Sequence, residues 1–206
     1  AAAAIAAGHF AEQIVPVEVR RGRDTVAFDV DEHPKATTLD KLAGLRPVFQ
    51  KDGSVTAGNA SGINDGAAAL VLARASTAAS AGLRPLARII GYAHAGVRPE
   101  VMGIGPIPAV TKLFEKTGLT AGDFDVIESN EAFASQALAV SKALGFDQAR
   151  VNPNGGAIAL GHPVGATGAI ITVKALYELE RTQGKRALIT MCIGGGQGIA
   201  LAIERM

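Results

Sequence analysis

The sequence predicts an α/β protein with helices packed on a sheet, and three features carry that prediction. Strand-length and helix-length apolar segments alternate along the carboxy-terminal two thirds. Glycine is 25 of 206 residues, well above the usual roughly 7%, which suits backbones that approach one another or a ligand closely. Polar, glycine-rich segments fall where the strands end, and in open α/β sheets such loops converge on ligands. With 48% hydrophobic and 19% charged residues the chain has enough apolar surface to collapse, which excludes a disordered protein. A net charge of +1 gives no electrostatic reason to expect nucleic acid. No apolar run reaches the length of a membrane span, and a single cysteine permits no internal disulfide, so a reducing, cytoplasmic setting is expected.

The elements follow in order. Ala1 to Gly8 reads as the tail of a helix begun upstream, which predicts that the chain is part of something longer. Gln13 to Val19 alternates like a strand and Arg20 to Asp24 turns, with Arg20, Arg21 and Arg23 expected on a solvated turn. Residues 31–52 are polar and irregular around a short helical piece, Leu39 to Leu45. The segment Gly58 to Gly66 leads into Ala67 to Leu72, which reads as a strand or a helix start. A boundary is expected at Arg84-Pro85. Beyond it, Leu86 to Ala93 reads as a strand, Pro108 to Lys116 as a helix, Phe124 to Ser129 as a strand and Ser135 to Leu144 as a helix. A short apolar piece, Ile158 to Leu160, precedes a glycine-rich loop. Ala169 to Arg181 is a helix with Ile170, Val173, Leu176 and Tyr177 along one stripe, and Ala187 to Met191 and Ile199 to Ile203 are buried strands. There is no short-period repeat.

Three segments at strand ends have the residue types that chemistry needs: Ser129 to Phe133, Asn152 to Gly168 and Cys192 to Gly198. A lone histidine is more often a hydrogen-bonded loop residue. His162, however, lies between Gly161, which lets the backbone be approached, and Pro163, which sets the turn before a helix, so an imidazole aimed into a site is favoured. His9, His33 and His94 have no ligand spacing, and no metal is expected. Most lone cysteines are small core hydrophobes. Cys192 precedes Gly194, Gly195 and Gly196, whose bare N–H groups suit a nest for an anion beside the sulfur, and a thiol so placed is fit for proton exchange. Asn130 either caps the next helix, with Glu131 and Ser135 as ordinary helix-start residues, or holds a water that donates to a carbonyl oxygen. The glycine-rich loops lack the lysine of a P-loop and the spacing of a dinucleotide fingerprint, which disfavours nucleotide hydrolysis and hydride transfer.

Taken together, TAGNASGINDGAAA (Thr56 to Ala69), SNEAFA (Ser129 to Ala134), NPNGGAIALGHPVGATGA (Asn152 to Ala169) and TMCIGGGQG (Thr190 to Gly198) resemble the signature blocks of the thiolases, the acetyl-CoA acetyltransferase and 3-ketoacyl-CoA thiolase family. The resemblance covers nearly the whole chain. It implies a layered αβαβα fold, with residues 1–62 as the later part of a coenzyme-binding loop domain, 63–84 as the end of the first core domain and 85–206 as the second, βαβαβαββ, core domain. It implies Cys192 as the acid/base cysteine, His162 as an oxyanion donor, Asn130 as the holder of an oxyanion-hole water and Gly194 as a second-hole N–H. Ser61, Phe49, Ala57, Ala132 and Phe133 would line the coenzyme A cleft. Lys35, within DEHPKATT (Asp31 to Thr38), would stand where the family usually offers an arginine to the nucleotide.

Family members attack with a second cysteine carried in the amino-terminal half, and this chain has no counterpart. The resemblance therefore implies an acyl-CoA acyltransferase of fatty acid metabolism, a homodimer or homotetramer that uses acyl-CoA as substrate with no tightly bound cofactor, completed by an amino-terminal thiolase half in the same chain or a partner. The alternative is a non-catalytic CoA-binding or assembly fragment. A cysteine hydrolase built on Cys192 and His162 explains neither SNEAF nor the CoA-like loops.

Overall fold

The computed structural model describes residues 1–206. Its centre is a four-stranded sheet in the order β3-β6-β5-β4, made of β3 (Ala87–Gly96), β4 (Val126–Ser129), β5 (Arg186–Ile193) and β6 (Gln197–Arg205). β5 and β6 are antiparallel neighbours across the glycine turn, β6 pairs antiparallel with β3, and β4 runs parallel to β5. Successive side chains of a strand point to opposite faces, and both faces are covered. On one face Leu188, Ala200 and Ala202 join Val110 and Leu113 of α4 (Pro106–Thr117), Val140 of α5 (Ala134–Leu144) and Phe124. On the other, Val126, Ala187, Ile189 and Ile203 meet Ile171, Ala175 and Leu179 of α7 (Thr167–Thr182). Burial on both faces explains why these strands read as nearly continuous apolar runs.

From β3 onward, strand, helix, strand and helices succeed one another as expected for an α/β layer structure. The strand expected between α5 and α7 is reduced to one bridge, Val151 against Ile127, and the apolar piece before the glycine-rich loop is a single helical turn, α6 (Ala157–Leu160). Both α4 and α5 end on left-handed glycines, Gly118 and Gly145, where only a residue without Cβ adopts that turn at no steric cost.

Residues 1–80 differ from their sequence reading in four places. Residues 8–13 form turns, and the first strand, β1 (Val17–Arg21), begins only after Pro16, which has no N–H to give a ladder. The expected turn from Arg20 to Asp24 narrows to Gly22 and Arg23, because Arg21 pairs with Asp24 at the start of an unforeseen second strand, β2 (Asp24–Phe28). Gly22 sits at φ +66, which suits the hairpin turn. Ala67 to Leu72 is neither strand nor helix, and Val71 is 94% exposed. An apolar run becomes a strand only where a neighbour offers backbone partners, and no strand here pairs with it. The short helices α1 (Ala2–Ala6) and α2 (Leu39–Ala43) fall where expected, α2 capped by Thr38, while the sequence gives no sign of α3 (Ala75–Ser80). No helix is long and apolar enough to cross a membrane.

Candidate active site

Asn130 and Cys192 lie at the same end of the sheet because β4 and β5 are parallel. Ser129 pairs with Thr190, and the Asn130 N–H donates to Thr190 O at 3.0 Å, two residues ahead of Cys192. Asn130 does not cap the helix that follows. α5 begins at Ala134 with Phe133 at its cap position, and no side chain caps it. Asn130 is instead 2% exposed, with Nδ2 3.2 Å from Nε2 of His162 and Oδ1 buried without a partner. A buried carbonyl-type oxygen left so needs a donor, and a water is the ordinary one.

The imidazole of His162 is held on both nitrogens. Its Nδ1 lies 2.6 Å from Oγ1 of Thr167, and that hydroxyl donates to Pro163 O at 2.8 Å. Pro163 O also accepts from the N–H groups of Ala166 and Thr167, so the single hydroxyl hydrogen of Thr167 has two uses: on Pro163 O, with Nδ1–H donating to the hydroxyl oxygen, or on Nδ1, with the ring proton on Nε2. In the first state Nε2 accepts from the Asn130 amide. Burial lowers the pKa of His162 below the usual histidine value, which keeps the ring neutral near pH 7.

Cys192 is the only thiol and is 5% exposed. Burial raises its pKa above that of a free cysteine, so it rests as the thiol. The tri-glycine turn behind it has Gly195 and Gly196 at φ +86 and +90. A Cβ on Gly196 would strike Val97 O, and one on Gly198 would strike Gly105 O. Around Gly194 there is open space. The turn thus packs backbone on backbone on one side and leaves Gly194 accessible on the other.

The residues expected to line a coenzyme cleft divide into two groups. Ser61 N–H donates to Ala132 O at 3.0 Å, Ala60 bridges to Phe133, and Phe133 meets Phe49 edge to face at 6.2 Å. Of these, Phe49 and Phe133 line an open depression of about 550 Å³ with Val55, Val101 and Ile104, whereas Ser61 and Ala132 lie outside it. Ala57 lies in the turn closed by Asn59 N–H to Thr56 O. Lys35 is exposed and takes part in no ion pair. Arg21 is also exposed, 3.8 Å from Glu32, but as the last residue of β1 rather than as part of the turn.

Sequence reasoning missed the residues that support the site. Thr167 reads as an ordinary helix-start threonine until its contact with His162 is seen. Asn152 pairs its carboxamide with both the N–H and the C=O of Ser129 and donates to Glu131. Glu131 is not a free helix-start residue, since it also accepts from Ile158 N–H. Behind the loop, Lys174 and Glu128 form a buried ion pair at 2.7 Å, and Lys174 Nζ also donates to Gly155 O.

The fold is a layered α/β protein with a buried thiol and an imidazole-carboxamide pair at one end of its sheet, and comparison with known proteins fixes the family. The family description "Thiolase, C-terminal domain" matches residues 83–205, and "Thiolase, N-terminal domain" matches residues 1–76. The chain belongs to the thiolase family. It is 60% identical to beta-ketothiolase BktB of Cupriavidus necator over all of its own length and 53% of that protein. It superposes on the crystal structure of the Bacillus anthracis acetyl-CoA acetyltransferase with a TM-score of 0.97 at 53% identity, covering all of this chain and 52% of that one. It also superposes on human mitochondrial 3-ketoacyl-CoA thiolase in complex with CoA, with a TM-score of 0.90 at 45% identity, covering all of this chain and 51% of that one. The chain spans about half the length of the relatives it matches.

Proposed function

We propose that this chain supplies the acid/base half of a thiolase, which joins acetyl-CoA to an acyl-CoA by Claisen condensation and cleaves 3-ketoacyl-CoA in reverse. The observation that carries the reading is the His162–Asn130 contact, with Oδ1 of Asn130 left for a water. Removing a proton from a thioester α-carbon puts negative charge on the thioester oxygen, and that charge has to be met by donors already in place. The Asn130-held water is one donor. His162 is the other once its proton lies on Nε2: Thr167 turns its hydroxyl from Pro163 O to Nδ1, and the Asn130 amide gives up its donation to Nε2, which then donates to the thioester oxygen. Cys192 exchanges the α-proton. Resting as the thiol, it gives its proton to the departing acetyl-CoA enolate in cleavage. As the thiolate it removes that proton in condensation, and the enolate carbon then attacks an acyl thioester carried by a second cysteine, which leaves as thiolate. The Gly194 N–H is open to the carbonyl oxygen of that acyl-enzyme.

Acyl-CoA is the substrate, and Ser61, Phe49, Ala57, Ala132 and Phe133 flank its pantetheine chain, with Lys35 near the nucleotide. The second cysteine belongs to an amino-terminal half, in the same chain or as a partner, and the subunit assembles as a dimer or tetramer. Of the division into 1–62, 63–84 and 85–206, the boundary at 84/85 is supported by the two family descriptions, which stop and start between residues 76 and 83. The single thiol of the chain favours one alternative, a CoA-binding fragment without catalysis. One experiment separates them. In the full-length protein Cys192→Ser abolishes condensation while acetyl-CoA still adds one acetyl group to the enzyme by mass. Unchanged turnover would refute the role of Cys192, and a purified protein of 21.0 kDa that leaves acetoacetyl-CoA uncleaved would favour the fragment.

A further inference from the structure

We propose that His33 and Asn64 are positioning residues, a hydrogen-bonded latch that holds the His162 loop in its working conformation. The inference rests on the reading that His162 acts on the thioester oxygen. Three contacts run in series. Oδ1 of Asn64 accepts from the backbone N–H of His162 at 3.0 Å, Nδ2 of Asn64 lies 3.3 Å from Nδ1 of His33, and Nε2 of His33 lies 3.2 Å from Ile158 O.

Each group has only one role open to it. Ile158 O only accepts, so Nε2 of His33 carries the ring proton and Nδ1 is a bare lone pair. His162 N–H only donates, so the carboxamide of Asn64 turns its oxygen to that N–H and its nitrogen to His33. The neutral Nε2–H form of His33 is the only protonation state that satisfies all three contacts.

The latch clasps both ends of the segment from Ile158 to His162. Around it the backbones are too close for side chains. A Cβ on Gly161, which sits at φ +96, would lie 2.6 Å from Oδ1 of Asn64, and one on Gly62 would lie 2.5 Å from Cε1 of His33. Ile63 bridges to His162 beside them. The imidazole itself is held only by Thr167 and Asn130, so the position of its backbone depends on this clasp. A displacement of about 1 Å at a reacting group costs on the order of 10²-fold in rate.

The test uses the full-length protein. His33→Phe and Asn64→Leu are expected to lower kcat for acetoacetyl-CoA cleavage about 10- to 100-fold with KM within twofold of the parent. His33→Gln, whose amide offers one acceptor and one donor as the neutral ring does, is expected to restore most of the loss. Nitrogen-15 spectra of the parent protein at pH 7.5 are expected to show His33 as the Nε2–H tautomer, a readout independent of activity and of whether any variant folds. An Nδ1–H or doubly protonated His33, or variants with parental kcat, would overturn the latch. His162→Ala serves as the control. If it keeps parental turnover, the catalytic reading fails, whereas loss of turnover in His162→Ala with none in His33→Phe sinks the latch alone.

Discussion

Oγ1 of Thr167 stands between Nδ1 of His162 and the carbonyl oxygen of Pro163, 2.6 Å from one and 2.8 Å from the other. One hydroxyl hydrogen serves both directions, so the side chain of Thr167 governs which nitrogen of His162 carries the proton. Thr167 is 2% exposed, and no bulk water stands in for it.

Thr167→Val keeps the shape but removes the hydroxyl, leaving Nδ1 without a partner while Pro163 O keeps the N–H groups of Ala166 and Thr167. The expected result is a stability loss of about 1–3 kcal/mol and a fall in kcat of at least about tenfold, since one oxyanion donor is worth up to about 10²- to 10³-fold. Thr167→Ser retains the hydroxyl and is expected to stay within a few-fold of the parent. Steady-state cleavage rates and urea midpoints measure both. Equal activity of the valine and serine variants would deny Thr167 any part in setting the tautomer.

Cys192 titrates above a free cysteine because burial disfavours its thiolate. Alkylation by iodoacetamide is therefore expected to be slow at neutral pH and to rise with an apparent midpoint above about 8.5, the free-thiol value. For stability the sign is as follows. The unfolded thiol ionises first, so the contribution is complete below the unfolded pKa and is lost as pH rises through the folded one. His162 runs the other way. Its folded pKa is lowered, so stability is complete above the ordinary histidine value of about 6.5 and falls as the medium becomes more acidic. Alkylation of Cys192 that is fast at pH 7 would mean a thiol with a stabilised anion instead.

The glycine turn after β5 is a packing device. Gly198→Ala would drive a Cβ into Gly105 O, and the neighbour is backbone that cannot rotate away. A loss of about 1–3 kcal/mol or more is expected, read as a lowered urea midpoint with an unchanged slope. Gly194→Ala meets nothing within 4 Å and is expected to be near neutral in stability. A reversed order of the two would be inconsistent with this packing.

Much of the fold could be read in advance because periodicity is a local signal. The apolar stripe of α7 and the runs that became β5 and β6 each announce their own burial. The hairpin strand β2 did not, since its pattern is exposed along nearly its whole length and its stability comes from pairing with β1. Ala67 to Leu72 misled for the opposite reason, being apolar yet without a strand partner. At the site, His162 and Cys192 stood out because glycines and a proline lie next to or just after them, and Asn130 stood out through the SNEAF block. Thr167, Asn64 and His33 did not, since threonine, asparagine and histidine occur in turns everywhere, and only the folded chain shows Thr167 turned onto the imidazole five residues before it and Asn64 and His33 reaching a distant segment.

The buried pair Lys174–Glu128 carries the last prediction. Both side chains are under 10% exposed, the ammonium is shared between Oε2 of Glu128 and Gly155 O, and Oε1 of Glu128 has no partner. Burial raises the pKa of Glu128, with Lys174 offsetting part of the rise. Removing one partner leaves the other charge in a medium that solvates it poorly, so Lys174→Met is expected to cost about 3–5 kcal/mol. Removing both leaves no charge to strand, and the double variant Glu128→Leu with Lys174→Met is expected to recover most of that loss in chemical denaturation. Lys174 also ties down Gly155, which begins the loop leading to His162. The double variant therefore separates two contributions, regaining stability while remaining slower than the parent in acetoacetyl-CoA cleavage. A double variant with full activity would show that the ammonium holds the fold and not the loop, and a single variant as stable as the parent would show that the charges are solvated despite their burial.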